Sequence, residues 1–406
     1  MPQVDSKQSY GEIVSLKNRW RLSLQQSLLL MVPFDLLASL GMDAYLPAIP
    51  DITDTFSAPA STVQLTLSLY MLVLGLGQLF FGPLSDRYGR RPILLGGNLL
   101  FIFSSIGLTL APGIEAFIIL RVFQGIGASA TLVATFAAVR DAFGHQKEST
   151  TIYALLGAML AFVPAFGPMI GAIIITLSHW KVIFLILAGI AICAGIHAFF
   201  RWPETSGNHI REPLLPIFKS VISSPKFWLF TLAFSVAMGS FFVYFSIAPY
   251  ILIERLGYSP ASFSLLFACA ALAMIVTSRF VGQVVEHLGT NNTLKLGMSC
   301  ILSGAIAMAI AGYFLNTSAA SFIIPMLLVA VGISCTCAVS ANGALSDFPK
   351  TAGTAVAFYY CIEAVIVSVF GSLVVTLLPP NTVWPLVVFC VLGVTIVLAA
   401  IHFIND

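Results

Sequence analysis

Residues 31–50 read MVPFDLLASLGMDAYLPAIP, and an aspartate, Asp35, lies in the middle of this otherwise apolar stretch. The run from Leu22 to Leu46 is almost entirely apolar, and about 20 such residues cross roughly 30 Å of hydrocarbon as one helix. A carboxylate in a segment of this kind is unfavourable unless it is paired, protonated or facing water. The stretch therefore predicts a membrane-spanning helix that carries an acid with a function.

Segments of the same kind recur along the whole chain. The 406 residues are 58% hydrophobic and 9% charged, with a mean hydropathy of +0.97, which excludes an ordinary soluble domain. The formal net charge of +2 gives no indication of a nucleic-acid partner. We predict an all-α membrane protein with twelve transmembrane helices in two six-helix bundles. The spans should begin near Leu22, Ser61, Pro92, Gly113, Thr151, Lys181, Ser224, Pro260, Asn292, Ala319, Thr351 and Thr382.

The basic residues predict the orientation of these spans. Of the 19 lysines and arginines, 16 fall in the N-terminal segment and in alternate loops, whereas only Lys181 and Arg255 fall in the other loops and Arg121 lies inside a span. Basic residues favour the cytoplasmic side of a membrane, so both termini should be cytoplasmic in a bacterial inner membrane. The polar segment 1–21 lacks the apolar core and cleavage site of a signal peptide.

Two pairs of short motifs indicate an internal repeat. The sequence GPLSDRYG (82–89) resembles GQVVEHLG (282–289), and we expect each copy to lie in the loop after the second span of its half. Likewise PAFGP (164–168) resembles SVFGS (368–372). A polar stretch divides six spans from six, so we predict a cytoplasmic segment 1–21, a bundle 22–201, a linker 202–223 and a bundle 224–406. Repeats of this kind in transporters place the substrate site near the midplane between the halves.

Few charged residues lie at membrane depth. Asp35, Arg121 and Glu363 lie within spans, and Asp43 lies near the outer edge of the first span. Such residues are functional candidates by default, and the alternative is a structural ion pair or a side chain that reaches the interface. Burial favours the neutral form of a carboxyl group and a nearby guanidinium favours its charged form. Asp35 is therefore a candidate proton carrier, with a structural pair to Arg121 as the alternative.

Arg121 lies in the sequence LRVFQGIGASA, with Gln124 one turn further on the same helix face. A guanidinium is always charged, so it must meet an anion, a carbonyl or water. The GIGASA string matches a dinucleotide-binding pattern, but no strand precedes it, as that fingerprint requires. The small residues here favour close helix packing instead.

The most specific motif is GPLSDRYGRRP (82–92). Its glycines favour a tight turn, and its acid can accept hydrogen bonds from arginine. We interpret it as a charge latch between conformations, with Asp141 as the partner at the end of the fourth span; a plain charged loop is the alternative. The residues of this predicted gate are Gly82, Asp86, Arg87, Gly89, Arg90, Arg91 and Asp141.

The fifth span carries a motif of prolines and glycines, namely Pro164, Gly167, Pro168 and Gly171. Such residues bend a helix and thin its surface, so we expect close contact with a helix of the other half, with ordinary kinked packing as the alternative. The seven cysteines all fall within apolar spans. They predict neither disulfides nor a metal site, because the C-x-C pair at 335–337 lacks the further ligands that a metal needs.

These motifs together resemble the major facilitator superfamily. GPLSDRYGRRP, RVFQGIGASA, PAFGPMIGA and PFDLLASLGMDAYLPAIP are similar to signatures of its twelve-span drug:proton antiporters in the bicyclomycin and chloramphenicol branch. FFVYFSIAP (241–249), VSANGAL (339–345) and AVAFYYC (355–361) resemble the chloramphenicol and florfenicol exporters in particular. The resemblance covers residues 22–400. It implies that Asp35 couples protons or contacts drug and that Arg121 is needed for turnover.

Glu363 departs from that pattern, because a neutral polar residue is expected at its position. A second intramembrane acid would favour cationic drugs or change the coupling. The resemblance further implies proton-driven efflux of amphipathic drugs by a monomer, with no cofactor, no metal and no nucleic acid. The candidate cavity residues are Tyr45, Tyr70, Gln124, Phe242, Phe245, Asn342 and Tyr359.

Two other functions stay open at this point. A nutrient uptake symporter would share the fold, and fold alone does not decide between the two. An intramembrane enzyme is disfavoured because the sequence contains no HExxH, GxSxG or P-loop motif.

Overall fold

The computed structural model describes residues 22–143, 163, 166–205, 219–314, 318–348 and 352–405. The first half contains α1 (Leu24–Asp43), α2 (Ile49–Phe56), α3 (Ala60–Tyr88), α4 (Arg90–Leu110), α5 (Ile114–Phe143), α6 (Phe166–Leu177) and α7 (Lys181–Arg201). The second half contains α8 (Pro225–Pro249), α9 (Pro260–Phe314), α10 (Ala319–Leu345), α11 (Ala352–Ile366), α12 (Ser372–Leu377) and α13 (Trp384–Asn405). No strand occurs among the described residues.

The helices account for the predicted number of membrane crossings. Ten helical stretches among the described residues are long and apolar enough to cross a membrane. One of them, α9, has 55 residues and a non-helical break at Gly289, so it crosses twice. The apolar helix α6 is the described part of the fifth span, whose predicted start near Thr151 lies outside the described residues. The all-α prediction with twelve spans is confirmed.

Several helices change pitch or break within a span. The first span continues from α1 through a 3₁₀ turn (Leu46–Ala48) into α2, where the sequence has Pro47 and Pro50. One π-helical stretch follows α8 (Tyr250–Arg255), and another joins α11 to α12 (Val367–Gly371). The second stretch contains most of SVFGS, the motif that resembles PAFGP in the first half. Irregular backbone of this kind is tolerated at membrane depth where protein covers it.

The repeated GxxxxxxG motifs are helical nearly to their ends. We expected a loop at each, but α3 runs to Tyr88 and the helix of the second copy runs to Gly289, so that loop prediction is wrong. The chain turns at a single glycine in each copy. Gly89 has φ 104° and Gly289 has φ 75°, and both have ψ values in a region that only glycine adopts readily. The two positions lie 200 residues apart, which supports a duplicated unit.

The two halves are joined near one end of the bundle. We call this the distal end; it carries α2 and the start of α9, whereas the proximal end carries Gly89 and the end of α7. Hydrogen bonds join the two halves at the distal end. Gln64 Nε2 donates to Ser246 O (2.8 Å), Tyr250 Oη donates to Ala60 O (3.2 Å), and Ser264 Oγ donates to Pro168 O (2.9 Å). Ser372 also donates to Ser68. Near mid-span, Gly75 of α3 packs against Ala364 of α11.

We expect the alanine variants of the two turn glycines to be destabilised. A Cβ at Gly89 or Gly289 is strained by about 1–3 kcal/mol, and at Gly89 it would also collide with the Glu204 carboxylate. Gly89→Ala should therefore lower the thermal unfolding midpoint in detergent more than Gly289→Ala does.

The other glycine of each motif provides a matched control. Gly82 and Gly282 lie within helices and have open space where a Cβ would lie. Alanine there should leave the midpoint unchanged or raise it slightly, because alanine favours a helix. A drop as large as that of Gly89→Ala would contradict the assignment of the turns.

Candidate functional site

Arg121, on α5, is fully buried and caps the end of α1. Its Nη1 atom donates to the carbonyl oxygen of Gly41 (2.8 Å) and to Oε1 of Gln124 (2.6 Å). Because α1 ends at Asp43, the Gly41 carbonyl is one of the last four that have no partner within the helix. A cation is stabilised at this negative end of the helix dipole. Arg121 therefore meets a carbonyl, one of the three partners that the sequence analysis allowed.

Aromatic rings cover the rest of the guanidinium. The Arg121 Cζ atom lies 4.6 Å from the ring centre of Tyr45 and 4.5 Å from that of Tyr70, with Phe184 at 6.0 Å. The Nε and Nη2 atoms have no hydrogen-bond partner among the described residues, and the rings supply cation–π attraction in its place. A guanidinium can thus be buried without a carboxylate.

Further hydrogen bonds fix these side chains. The Tyr70 hydroxyl donates to Ala38 O (2.7 Å), Gln124 Nε2 donates to Ser105 Oγ (2.8 Å), and the Tyr45 hydroxyl shares a hydrogen bond with Thr66 (2.5 Å). We predicted Tyr45, Tyr70 and Gln124 as cavity residues. In this structure they are instead fully buried around Arg121, and their polar groups are used to hold it and to position α1.

Asp35 lies on α1, two residues after Pro33, and is 1% exposed. Neither carboxyl oxygen has a hydrogen-bond partner among the described residues. The hydrogen bonds of Arg121 go to Gly41 and Gln124 instead, so the structure does not support the alternative of a structural Asp35–Arg121 pair. Asp43, the last residue of α1, is also buried.

The candidate residues of the second half lie on three helices. Glu363 is 6% exposed on α11, and Tyr359, one turn earlier, stacks on Phe234 with ring centres 4.7 Å apart. Asn342 is exposed on α10. Phe242 and Phe245 are buried on α8. Phe242 borders Gly371, and Phe245 packs against Phe267, whose ring centre is 5.8 Å away. Asn342 is thus accessible, whereas neighbouring side chains cover the two phenylalanines.

The predicted gate residues form a charged cluster at the proximal end. Arg90 is 1% exposed and pairs with Asp86 and with Asp141, whose Oδ2 atom is 3.0 Å from Nε. It also donates to Ser85 Oγ (2.5 Å). The predicted contact with Asp141 is confirmed. These contacts join α3, α4 and α5 within the first half. Arg87 is exposed and lies over the Tyr88 ring, 5.3 Å from its centre.

Sequence reasoning missed Glu204, which completes this cluster. Its carboxylate accepts hydrogen bonds from the backbone N–H groups of Arg90 (2.8 Å) and Arg91 (3.2 Å), the first residues of α4. A negative charge is stabilised at a helix N-terminus. Arg91 also donates to Phe199 O (2.6 Å). The start of the predicted linker is therefore packed against the first half. The only signal for this contact in the sequence is an acid three residues after the end of α7.

The fifth-span motif contacts the end of α1 as well as the other half. Gly167 lies against Asp43 and Gly171 lies against the Ala44 carbonyl, so the glycines approach the end of α1 in their own half. We expected them to approach the other half. Contact with the other half comes from Pro168, whose carbonyl accepts from Ser264 (2.9 Å). Pro164 lies outside the described residues.

Comparison with known proteins shows the family of this chain. The model of the Major Facilitator Superfamily matches residues 35–372. The chain belongs to this superfamily. It is 47% identical to a chloramphenicol resistance protein of Pseudomonas aeruginosa, over 95% of this chain and 92% of that protein. It is 26% identical to multidrug resistance protein D of Escherichia coli, over 86% and 89% of the two chains.

Solved structures support the superfamily fold. A POT family transporter in complex with a thioalcohol-conjugated peptide aligns with a TM-score of 0.74 over 94% of this chain and 96% of that chain, at 14% identity. Such low identity shows the fold alone. Membership of the superfamily identifies the chain as a multi-pass membrane transporter, so the prediction that it is not an enzyme is confirmed.

We expect removal of Asp141 to destabilise the protein measurably. Asp141→Ala takes one of two carboxylates from the buried Arg90, and a lost hydrogen bond to a charged group costs about 1.5–3 kcal/mol. The exposed pair Lys226–Asp347, at 3.6 Å, is the control. Asp347→Ala should cost about 0–1 kcal/mol. Thermal unfolding of both variants in detergent tests this, and equal midpoints would contradict a structural role for the buried cluster.

Proposed function

We propose that this transporter exports phenicol antibiotics such as chloramphenicol and florfenicol, together with other amphipathic drugs, in exchange for protons. The similarity to the Pseudomonas aeruginosa chloramphenicol resistance protein supports the substrate class, because it extends over 95% of the chain. Further relatives have names that include chloramphenicol, bicyclomycin and multidrug resistance.

The burial of Asp35 is the observation that supports the proposed coupling of drug export to protons. A carboxyl group that is buried in a membrane span without a hydrogen-bond partner is unfavourable as a permanent anion. It is therefore suited to bind a proton in one state and release it in another. Arg121 is held by the end of α1 and so leaves Asp35 free to titrate. The proton gradient is the proposed energy source, and no cofactor is needed.

The arrangement of the halves supports transport by alternating access. The positive-inside rule assigns the proximal end to the cytoplasm, which places the hydrogen bonds of Gln64, Tyr250 and Ser264 between the halves on the outer side. In this orientation both termini are cytoplasmic in the bacterial inner membrane, and drug enters from the cytoplasm. We propose that one monomer is sufficient, because each half contributes helices to the same junction.

The role of GPLSDRYGRRP and Asp141 as a charge latch between conformations remains a prediction. The cluster around Arg90 ties α3, α4 and α5 together, so it keeps the first half rigid in this state. Uptake of a nutrient is not favoured by any residue of the site. The similarity to peptide transporters at 14% identity concerns the fold alone.

Expression in an efflux-deficient bacterium should lower the cytoplasmic accumulation of chloramphenicol, and a protonophore should abolish the effect. One inward proton contributes about 2.3 kcal/mol per 100 mV and about 1.4 kcal/mol per pH unit. This suffices for a drug gradient of about a hundredfold. Cells that carry an empty vector are the control. Export that persists after complete collapse of the proton gradient would rule out this energy source.

Asp35→Asn should keep a normal membrane yield and lose drug-induced proton release. The substitution removes the titratable group while it keeps size and most hydrogen-bonding capacity, and Arg121 keeps its own partners. Purified protein in weakly buffered detergent, mixed with chloramphenicol, reports the protons released.

Asp347→Asn, which changes an exposed acid, is the matched control and should release protons as the unmodified protein does. Unchanged proton release together with retained export in Asp35→Asn would refute the carrier role. Asp43 and Glu363 are then the next acids to test.

A further inference from the structure

A cleft of about 440 Å³ lies between α1 and α7 in the first half, and the proposed transport mechanism does not use it. Its volume is in the range of small-molecule sites. The lining is almost entirely apolar and includes Pro33 of α1 together with Ile186, Gly189, Ile190, Cys193 and His197 of α7. These α7 residues are exposed, so the cleft opens toward the surrounding lipid.

The backbone of both helices explains why the cleft is present. Gly189 has no side chain, and a Cβ built there would meet no atom within 4 Å. Pro33 removes a hydrogen bond from α1 because proline has no N–H group. Beyond the two ends of the cleft α1 and α7 are joined by ring contacts, between Tyr45 and Phe184 (6.1 Å) and between Phe34 and Trp202 (5.9 Å). The cleft is therefore a fixed gap between two helices that stay in contact.

The length and position of the cleft match one leaflet of a bilayer. Ile186 and His197 are 11 residues apart on α7, which is about 16 Å along a helix. One leaflet contributes about half of the 30 Å of hydrocarbon. His197 lies close to the end of α7 at Arg201, which belongs to the proximal end. The positive-inside rule assigns that end to the cytoplasm, so the cleft extends through the cytoplasmic leaflet.

The proximal end of the cleft is basic. His197 is exposed within a membrane span, where titratable side chains are rare and usually functional. Arg201 follows it by four residues and therefore lies on the same face of α7. Among the described residues, no acid or hydrogen-bond acceptor pairs with either side chain. Arginine binds phosphate groups through two parallel hydrogen bonds, and basic pockets between helices on the cytoplasmic side bind anionic lipid headgroups.

We propose that this cleft binds one anionic phospholipid of the cytoplasmic leaflet. An acyl chain lies along Ile190 and Pro33 over Gly189, and the phosphate group accepts hydrogen bonds from His197 and Arg201. A neutral drug would fill the apolar part but would leave the basic end without an anion. The lipid satisfies both parts. The inference does not depend on the proposed export function, because every residue that it uses lies on the lipid-facing side of α1 and α7.

Binding of dioleoylphosphatidylglycerol to the delipidated full-length protein in detergent, followed by native mass spectrometry, tests this site. The unmodified protein should bind one molecule at least about fivefold more tightly than dioleoylphosphatidylethanolamine, which has no net charge. Arg201→Gln should weaken phosphatidylglycerol binding about fivefold, and His197→Leu about threefold through the lost hydrogen bond. Arg279→Gln, which changes an exposed arginine on α9, is the control and should change the affinity less than about twofold.

A second pair of variants tests the apolar part of the cleft. Gly189→Leu places a side chain in the gap without a collision of its Cβ atom, so the protein should fold and should lose phosphatidylglycerol affinity by at least about tenfold. Gly96→Leu on α4 is the matched control, because Gly96 is also exposed and has open space at its Cβ position. It should bind phosphatidylglycerol as the unmodified protein does.

Three results would overturn the lipid site. Equal affinity of the unmodified protein for the two phospholipids would show only the ordinary lipid layer around a membrane protein. Unchanged phosphatidylglycerol affinity in both Gly189→Leu and Arg201→Gln would show that the lipid binds elsewhere. Displacement of phosphatidylglycerol by chloramphenicol, with chloramphenicol binding lost in Gly189→Leu, would assign the cleft to drug instead of lipid.

Discussion

The buried guanidinium of Arg121 at the end of α1 is the interaction on which the first half depends. A charge that cannot be neutralised is placed at membrane depth, and it is stabilised by a helix-terminal carbonyl, by Gln124 and by two tyrosine rings. These groups come from α1, α3, α5 and the turn after α1. Loss of any one of them leaves the charge less well satisfied, so the cluster sets the relative positions of these helices and hence the place of Asp35.

Polar contacts within the first half differ in charge and strength from the polar contacts between the halves. Charged and strongly polar clusters, around Arg121 and around Arg90, lie within the first half. The described hydrogen bonds between the halves join neutral groups such as Gln64 and Ser246. A neutral hydrogen bond contributes only about 0.5–1.5 kcal/mol net, and a break in a buried charge pair costs about 3–5 kcal/mol. The first half can thus stay intact while the contacts between halves are exchanged.

The two buried acids differ in their surroundings. Asp35 lies on α1, the helix whose end Arg121 caps. Its carboxyl oxygens have no hydrogen-bond partner among the described residues. Glu363 lies among aromatic rings and sulfur atoms in the other half.

The sequence by itself determined the membrane class and the number of spans, because hydrocarbon thickness and backbone satisfaction allow few alternatives for such an apolar chain. Its motifs indicated the superfamily. It also placed Asp141 beside the GPLSDRYGRRP turn motif. It did not reveal that Tyr45, Tyr70 and Gln124 enclose Arg121, or that Glu204 caps α4 from 114 residues away. A single sequence records which residues are polar, but the partner of each buried polar group is decided by helix ends and helix faces that meet only in the folded protein.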